Sequence, residues 1–145
     1  MGAESYELAT WESMDLLQER SVGRLCVIEQ GYPLAVPINY RFSDAGGGVR
    51  VVVRTAAHTM VGRYEGPASL EVDDIEIDAG TAWSVIARGM LRRVSGTHDL
   101  PDPDPLVTEG RHLWVTLDVS AVSGRRFAVH PTDGGFSVDW QLAID

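Results

Sequence analysis

The 145-residue sequence predicts a mainly β fold, a small antiparallel barrel with two or three short helices. Three observations predict it. Apolar residues alternate with period two through six or seven segments, as on strands with one face in a core. Glycine- and proline-rich turns separate these segments at regular intervals, as short antiparallel connections require. Only two stretches, 10–20 and 58–65, show helical spacing.

The first element, 10–20, has Thr10 as a candidate N-cap, Glu12 and Asp15 in the positive first turn, and Trp11, Met14 and Leu17 at spacings of three. In 23–29 the continuous apolar run from Leu25 to Ile28 reads as a strand buried on both sides. Segment 32–41 alternates strictly: Tyr32, Leu34, Val36, Ile38 and Tyr40 take one face, and Pro33, Ala35, Pro37, Asn39 and Arg41 the other. Two prolines cannot both sit in a central ladder, so this strand belongs at an edge or carries a bulge. The run Asp-Ala-Gly-Gly-Gly at 44–48 is a hairpin turn by composition. It feeds 49–55, where Val49, Val51 and Val53 oppose Arg50, Val52 and Arg54.

Met60, Val61 and Tyr64 give 58–65 one or two helical turns. Segment 67–78 changes parity between Leu70 and Val72 and the later Ile75 and Ile77, which implies a bulge near Asp73 and Asp74. Segment 81–94 is the longest strand and is apolar on both faces, with Trp83, Val85 and Ala87 against Ile86 and Met90. In so short a chain, that pattern implies a second subunit covering the outside. Three prolines and three aspartates make 98–109 a loop. Strand 113–119 then precedes a Ser123-Gly124 turn and a strand at 125–129, and a tail from 134 to 145 alternates Phe136, Val138, Trp140 and Leu142.

Composition narrows the function. Hydrophobic residues at 44% and charged residues at 23% describe a globular chain, read as one domain over 1–145. The net charge is -9, and all twelve basic residues are arginines. A negative field repels phosphate backbones, which excludes nucleic acid as a general partner. The acidic first twenty residues are not a signal peptide, and no apolar run approaches the ~20 residues of a membrane span. A cytoplasmic protein with no membrane partner is expected. The single Cys26 excludes an internal disulfide and reads as an inert thiol. His58, His98, His112 and His130 lack ligand spacing, and the Asp99, Asp102, Asp104 set lacks the glycine and glutamate of a calcium loop, so no metal is expected. No nucleophile–base constellation is visible, and the sequence names no catalytic residue.

Six local signatures stand in order: Val22-Gly23-Arg24-Leu25, Pro37-Ile38-Asn39-Tyr40, Val53-Arg54-Thr55, Leu70-Glu71-Val72-Asp73, Ala82-Trp83-Ser84-Val85 and Ser123-Gly124-Arg125-Arg126. Together they resemble the pyridoxamine 5′-phosphate oxidase-like family, and within it the short branch similar to nitroimidazole-resistance proteins. The resemblance implies a split β-barrel homodimer holding flavin mononucleotide (FMN) at the subunit interfaces and acting as an oxidoreductase on a small organic substrate. It assigns Arg54 and Thr55 to the flavin phosphate, with the helix that begins near His58 presenting amides beside it. Asn39 and Tyr40 match the segment approaching the flavin ring. Trp83 and Ser84 match a segment near the dimer-spanning pocket. Arg125 and Arg126 read more simply as continuing a turn, and Arg54 has a structural alternative as a wall residue paired with a glutamate such as Glu71.

The chain departs from the family at the phosphate. His58 stands where a glycine is usual, and Met60 where a lysine is usual. A charge-assisted hydrogen bond contributes ~1.5–3 kcal/mol, so its loss weakens binding by roughly one to two orders of magnitude. Arg63, one turn on, and a protonated His58 are the candidate replacement cations. The alternative reading is a non-catalytic binding or sensing module that has lost FMN or takes the deazaflavin F420 or haem instead.

Overall fold

Period-two alternation becomes nine strands in the computed structural model, which describes residues 5–96, 98–103, 110 and 112–140. The strands are β1 (Tyr6–Glu7), β2 (Val22–Glu29), β3 (Tyr32–Asn39), β4 (Arg41–Ser43), β5 (Arg50–Thr55), β6 (Gly66–Glu76), β7 (Thr81–Arg93), β8 (Leu113–Thr132) and β9 (Gly135–Val138). Helix α1 is Thr10–Glu19, α2 is Met60–Arg63, and a 3-10 turn, Ala45–Gly47, lies in the glycine run between β4 and β5. No helix among the described residues is long and apolar enough to cross a membrane.

All pairings are antiparallel, in the order β3-β2-β6-β7-β8-β5-β4, and β1 and β9 also pair with β8. β3 and β4 stand at opposite ends of this order, yet Tyr40 alone joins them. The sheet must therefore curl until its ends meet, leaving one seam without a ladder. This is a split barrel. Tyr40 pins the seam: its amide donates to the Ser21 carbonyl at 2.8 Å and its buried hydroxyl to the Leu17 carbonyl at 2.6 Å. Burial pushes the Tyr40 phenol pKa up, so the hydroxyl stays a donor. Leu25, Leu70, Trp83, Val85, Val115 and Leu117 fill the interior, and Leu17 of α1 joins them.

Several elements differ from expectation for identifiable reasons. Ala9, not Thr10, is the N-cap of α1, and its amide is held by the Glu12 carboxylate at 3.1 Å. β2 is buried on one face only: Gly23, Leu25 and Val27 point in, while Ile28 is 51% exposed. β6 has no bulge at Asp73 and Asp74. Its ladder with β7 is unbroken, and the parity change leaves Ile75 and Ile77 exposed. The irregularity falls instead between Arg88 and Gly89, which face Ala121 and Val119 and leave Ser120 as the extra residue of β8. A Cβ on Gly89 would lie 1.9 Å from the Asp118 carbonyl oxygen, so that backbone approach requires glycine.

The expected Ser123-Gly124 turn is the middle of the twenty-residue β8. Gly124 makes room rather than a corner, because a Cβ there would meet Ser13 Oγ at 2.5 Å and Leu8 Cδ1 at 3.1 Å. The tail contributes β9, which folds back on the end of β8, and Trp140 meets Phe127 edge-on at 4.6 Å. Asp104 to Glu109 of the expected loop and Leu142 of the tail lie outside the described residues. The edge position of β3 and the helix 10–20 are as expected, the latter ending at Glu19.

Candidate functional site

β5 ends in Arg54 and the buried Thr55, and a tight connection returns the chain into α2. Thr59 organises that connection. Its hydroxyl caps α2 by accepting from the Gly62 amide at 3.1 Å, donates to the Ala56 carbonyl at 2.8 Å, and lies 2.6 Å from Thr55 Oγ1. Gly62 lets the helix close on the connection, since a Cβ there would fall 2.2 Å from the Ala56 oxygen. The capping bond takes one first-turn amide that the sequence reading left free for a ligand.

Arg54 stands opposite Trp114 in the β5–β8 register, with its Cζ 5.4 Å from the indole centroid. Its Nη1 lies 3.0 Å from both carboxylate oxygens of Asp102. The Arg54 side chain is only 16% exposed and Asp102 is 42% exposed. Solvent screening limits such a half-exposed pair to about 1 kcal/mol or less. His98 also packs on Trp114, with 4.4 Å between ring centroids. Its buried Nδ1 has no hydrogen-bond partner among the described residues. A largely buried cation on an aromatic face is a donor suited to an oxyanion.

The neighbouring candidates divide. Met60 opens α2 half-buried and His58 is exposed. Arg63, the expected second cation, bonds the His58 carbonyl and the Glu29 carboxylate of β2 through its guanidinium. Asn39 is exposed at the end of β3, opposite Val22. Tyr40 and Trp83 are core residues. Trp83 is 0% exposed, its Nε1 donates to Glu76 Oε1 at 2.9 Å, and the Arg20 guanidinium covers its ring at 5.0 Å.

Ser84 belongs to a second cluster on the outer sheet face. Its Oγ donates to Glu71 Oε2 at 2.9 Å, and Arg24 bridges Glu71 at 2.8 Å and Asp73 at 3.0 Å. Burial, reinforced by a hydrogen bond with Asp73, raises the Glu71 carboxyl above its ordinary pKa. The glutamate considered for Arg54 thus belongs to Arg24. Ser84 also borders a cleft of about 200 Å³ with Glu7, Ile86, Ser123 and Arg125, whose Nε is buried without a partner among the described residues. β8 lies between β7 and β5, so the chain does not bring Ser84 to Arg54. No group of three or more His, Cys, Asp or Glu among the described residues is placed to hold a metal ion.

Sequence reasoning missed Asp102 and Trp114 as partners of Arg54, and Thr59 as the cap of α2. Thr59 carried a signal, since a threonine just before Met60 has the form of an N-cap. Trp114 and Asp102 carried none, because cross-strand register and loop return set both.

Residues 10–126 match the family described as pyridoxamine 5′-phosphate oxidase. An uncharacterised protein of Mycobacterium tuberculosis is 28% identical over 129 residues, 82% of this chain and 78% of its own length. Among solved structures, the FAD binding protein from Mycobacterium smegmatis superposes with a TM-score of 0.65 at 26% identity, over 85% of this chain and 98% of that one. A conserved protein of unknown function from Corynebacterium diphtheriae gives a TM-score of 0.69, also at 26% identity, with the same coverages.

Proposed function

Because the chain belongs to the pyridoxamine 5′-phosphate oxidase family, we propose that it is a homodimeric flavin-nucleotide-binding oxidoreductase acting on a small organic molecule. The carrying observation is Arg54, whose largely buried guanidinium stands over Trp114 at the end of β5, next in sequence to Thr55. FMN is the expected nucleotide, and the similarity to an FAD binding protein supports a flavin of either size. Both carry an anionic phosphate group, which this donor fits. When bound, the flavin supplies the electron or hydride chemistry. Arg54 would neutralise the phosphate, and Asn39 would meet the ring edge. Titration of the purified chain with FMN and FAD, read by flavin fluorescence, tests this. Binding at about micromolar Kd supports the reading, and none at tens of micromolar overturns it.

The homodimer rests on the outward apolar residues. Ile28, Pro33, Pro67 and Met90 line a surface groove of about 620 Å³, and Met90 is 46% exposed. A second copy would remove this patch from water. Burial raises the pKa of the thiol of Cys26 in the same groove, so it stays protonated and unreactive there. Met90→Asp is expected to halve the mass measured by light scattering, and an unchanged dimer would place the interface elsewhere.

The competing reading, a barrel that no longer uses flavin, draws on Met60 at the usual lysine position and on the carboxylate already beside Arg54. It predicts no flavin titration and no reductase activity with added flavin and nicotinamide cofactor.

A further inference from the structure

We infer that Asp102 is a specificity-determining residue, a tethered competitor that closes the Arg54 subsite to loose oxyanions and reserves it for a ligand also anchored elsewhere. The inference rests on reading Arg54 as the phosphate ligand. Asp102 Oδ1 and Oδ2 lie equally at 3.0 Å from Arg54 Nη1, where the oxygens of a ligand phosphate would have to come.

Several features make the competitor effective. Asp102 stands between Pro101 and Pro103, whose fixed φ angles stiffen the segment, and Pro103 is buried. His98 holds the start of the same segment against Trp114, the ring that also backs Arg54. The carboxylate is thus presented by a short, anchored strap, at an effective concentration that free carboxylate or inorganic phosphate must exceed to displace it. A phosphate carries ≈ −1.5 to −2 charges at pH 7 and three acceptor oxygens, against one charge and two oxygens for Asp102. Held close by its own flavin ring, a nucleotide phosphate has both the stronger charge and a tether to match.

The strap is also able to yield. Asp102 is 42% exposed, so water reaches the carboxylate as it leaves. His98 Nδ1 is buried without a partner among the described residues, and opening would return it to water. The chain thus closes the subsite by a contact that is present but weak, which is what a selective competitor requires.

The test compares the parent chain with Asp102→Asn, Asp102→Ala and Arg54→Ala, titrating FMN and riboflavin, which lacks the phosphate. Removing the carboxylate is expected to tighten FMN about two- to fivefold and to leave riboflavin unchanged. Inorganic phosphate should displace FMN at lower concentration from the Asp102 variants than from the parent. Unfolding temperatures close to the parent's would establish that the variants are folded. Unchanged or weaker FMN binding in both Asp102 variants, with Arg54→Ala still costly, overturns the role of Asp102 alone. Arg54→Ala binding FMN as tightly as the parent overturns the phosphate reading and this inference with it.

Discussion

Replacing Arg54 by alanine is expected to weaken FMN binding about 10- to 100-fold while leaving riboflavin binding unchanged. A hydrogen bond to a charged group contributes about 1.5–3 kcal/mol, and each 1.4 kcal/mol is a factor of ten. The loss falls toward the upper end because Met60 offers no second cation and Arg63 is committed to Glu29 and the His58 carbonyl. Arg63→Ala should accordingly cost much less. Equal losses in the two variants would show that α2 shares the phosphate after all. Equal losses for FMN and riboflavin in Arg54→Ala would point to damage to the barrel wall rather than to a lost phosphate contact.

Trp83→Ala is expected to destabilise the chain by about 3–5 kcal/mol, a fifth or more of the stability of a typical domain. The indole is the largest fully buried side chain described, and its removal also leaves Glu76 without its donor. Urea unfolding followed by circular dichroism reads the effect as a lower midpoint. Trp83→Phe retains most of the packing and should bind FMN as the parent does. A tenfold weaker FMN affinity in the folded phenylalanine variant would instead return Trp83 to the binding site.

The strands were legible because alternation is a local property. Tyr32 to Asn39 pairs along its whole length with β2 and ends the sheet, as Pro33 and Pro37 require. Alternation does not say which face is inside when both are apolar. For that reason β2 read as buried on both sides, and Ile75 and Ile77 suggested a bulge where the chain simply presents isoleucine to the surface. Gly124 read as a turn because glycine is frequent in turns, whereas here it admits Ser13 and Leu8 from the segment packed across the sheet. The site was legible only in part, and for the same reason. Arg54 and Thr55 stand together in sequence. Asp102 reaches Arg54 from 48 residues away, and Trp114 reaches it through the pairing of β5 with β8.

Strand β8 pairs with β1, β5, β7 and β9, and that has a kinetic consequence. During synthesis β2, β3, β6 and β7 can assemble by sequential pairing, but β5 finds its main partner only once the chain has passed Leu113. Tyr6 must wait still longer for Arg126. A topology so rich in distant pairings folds slowly, on the order of milliseconds to seconds. Through that interval the β4–β5 hairpin leaves Val51, Val52 and Val53 open to association with other chains. Arg50 and Arg54 bracket those three valines, and charges so placed discourage edge-to-edge aggregation. The arginine proposed to hold a phosphate in the finished barrel thus also keeps the unfinished chain soluble.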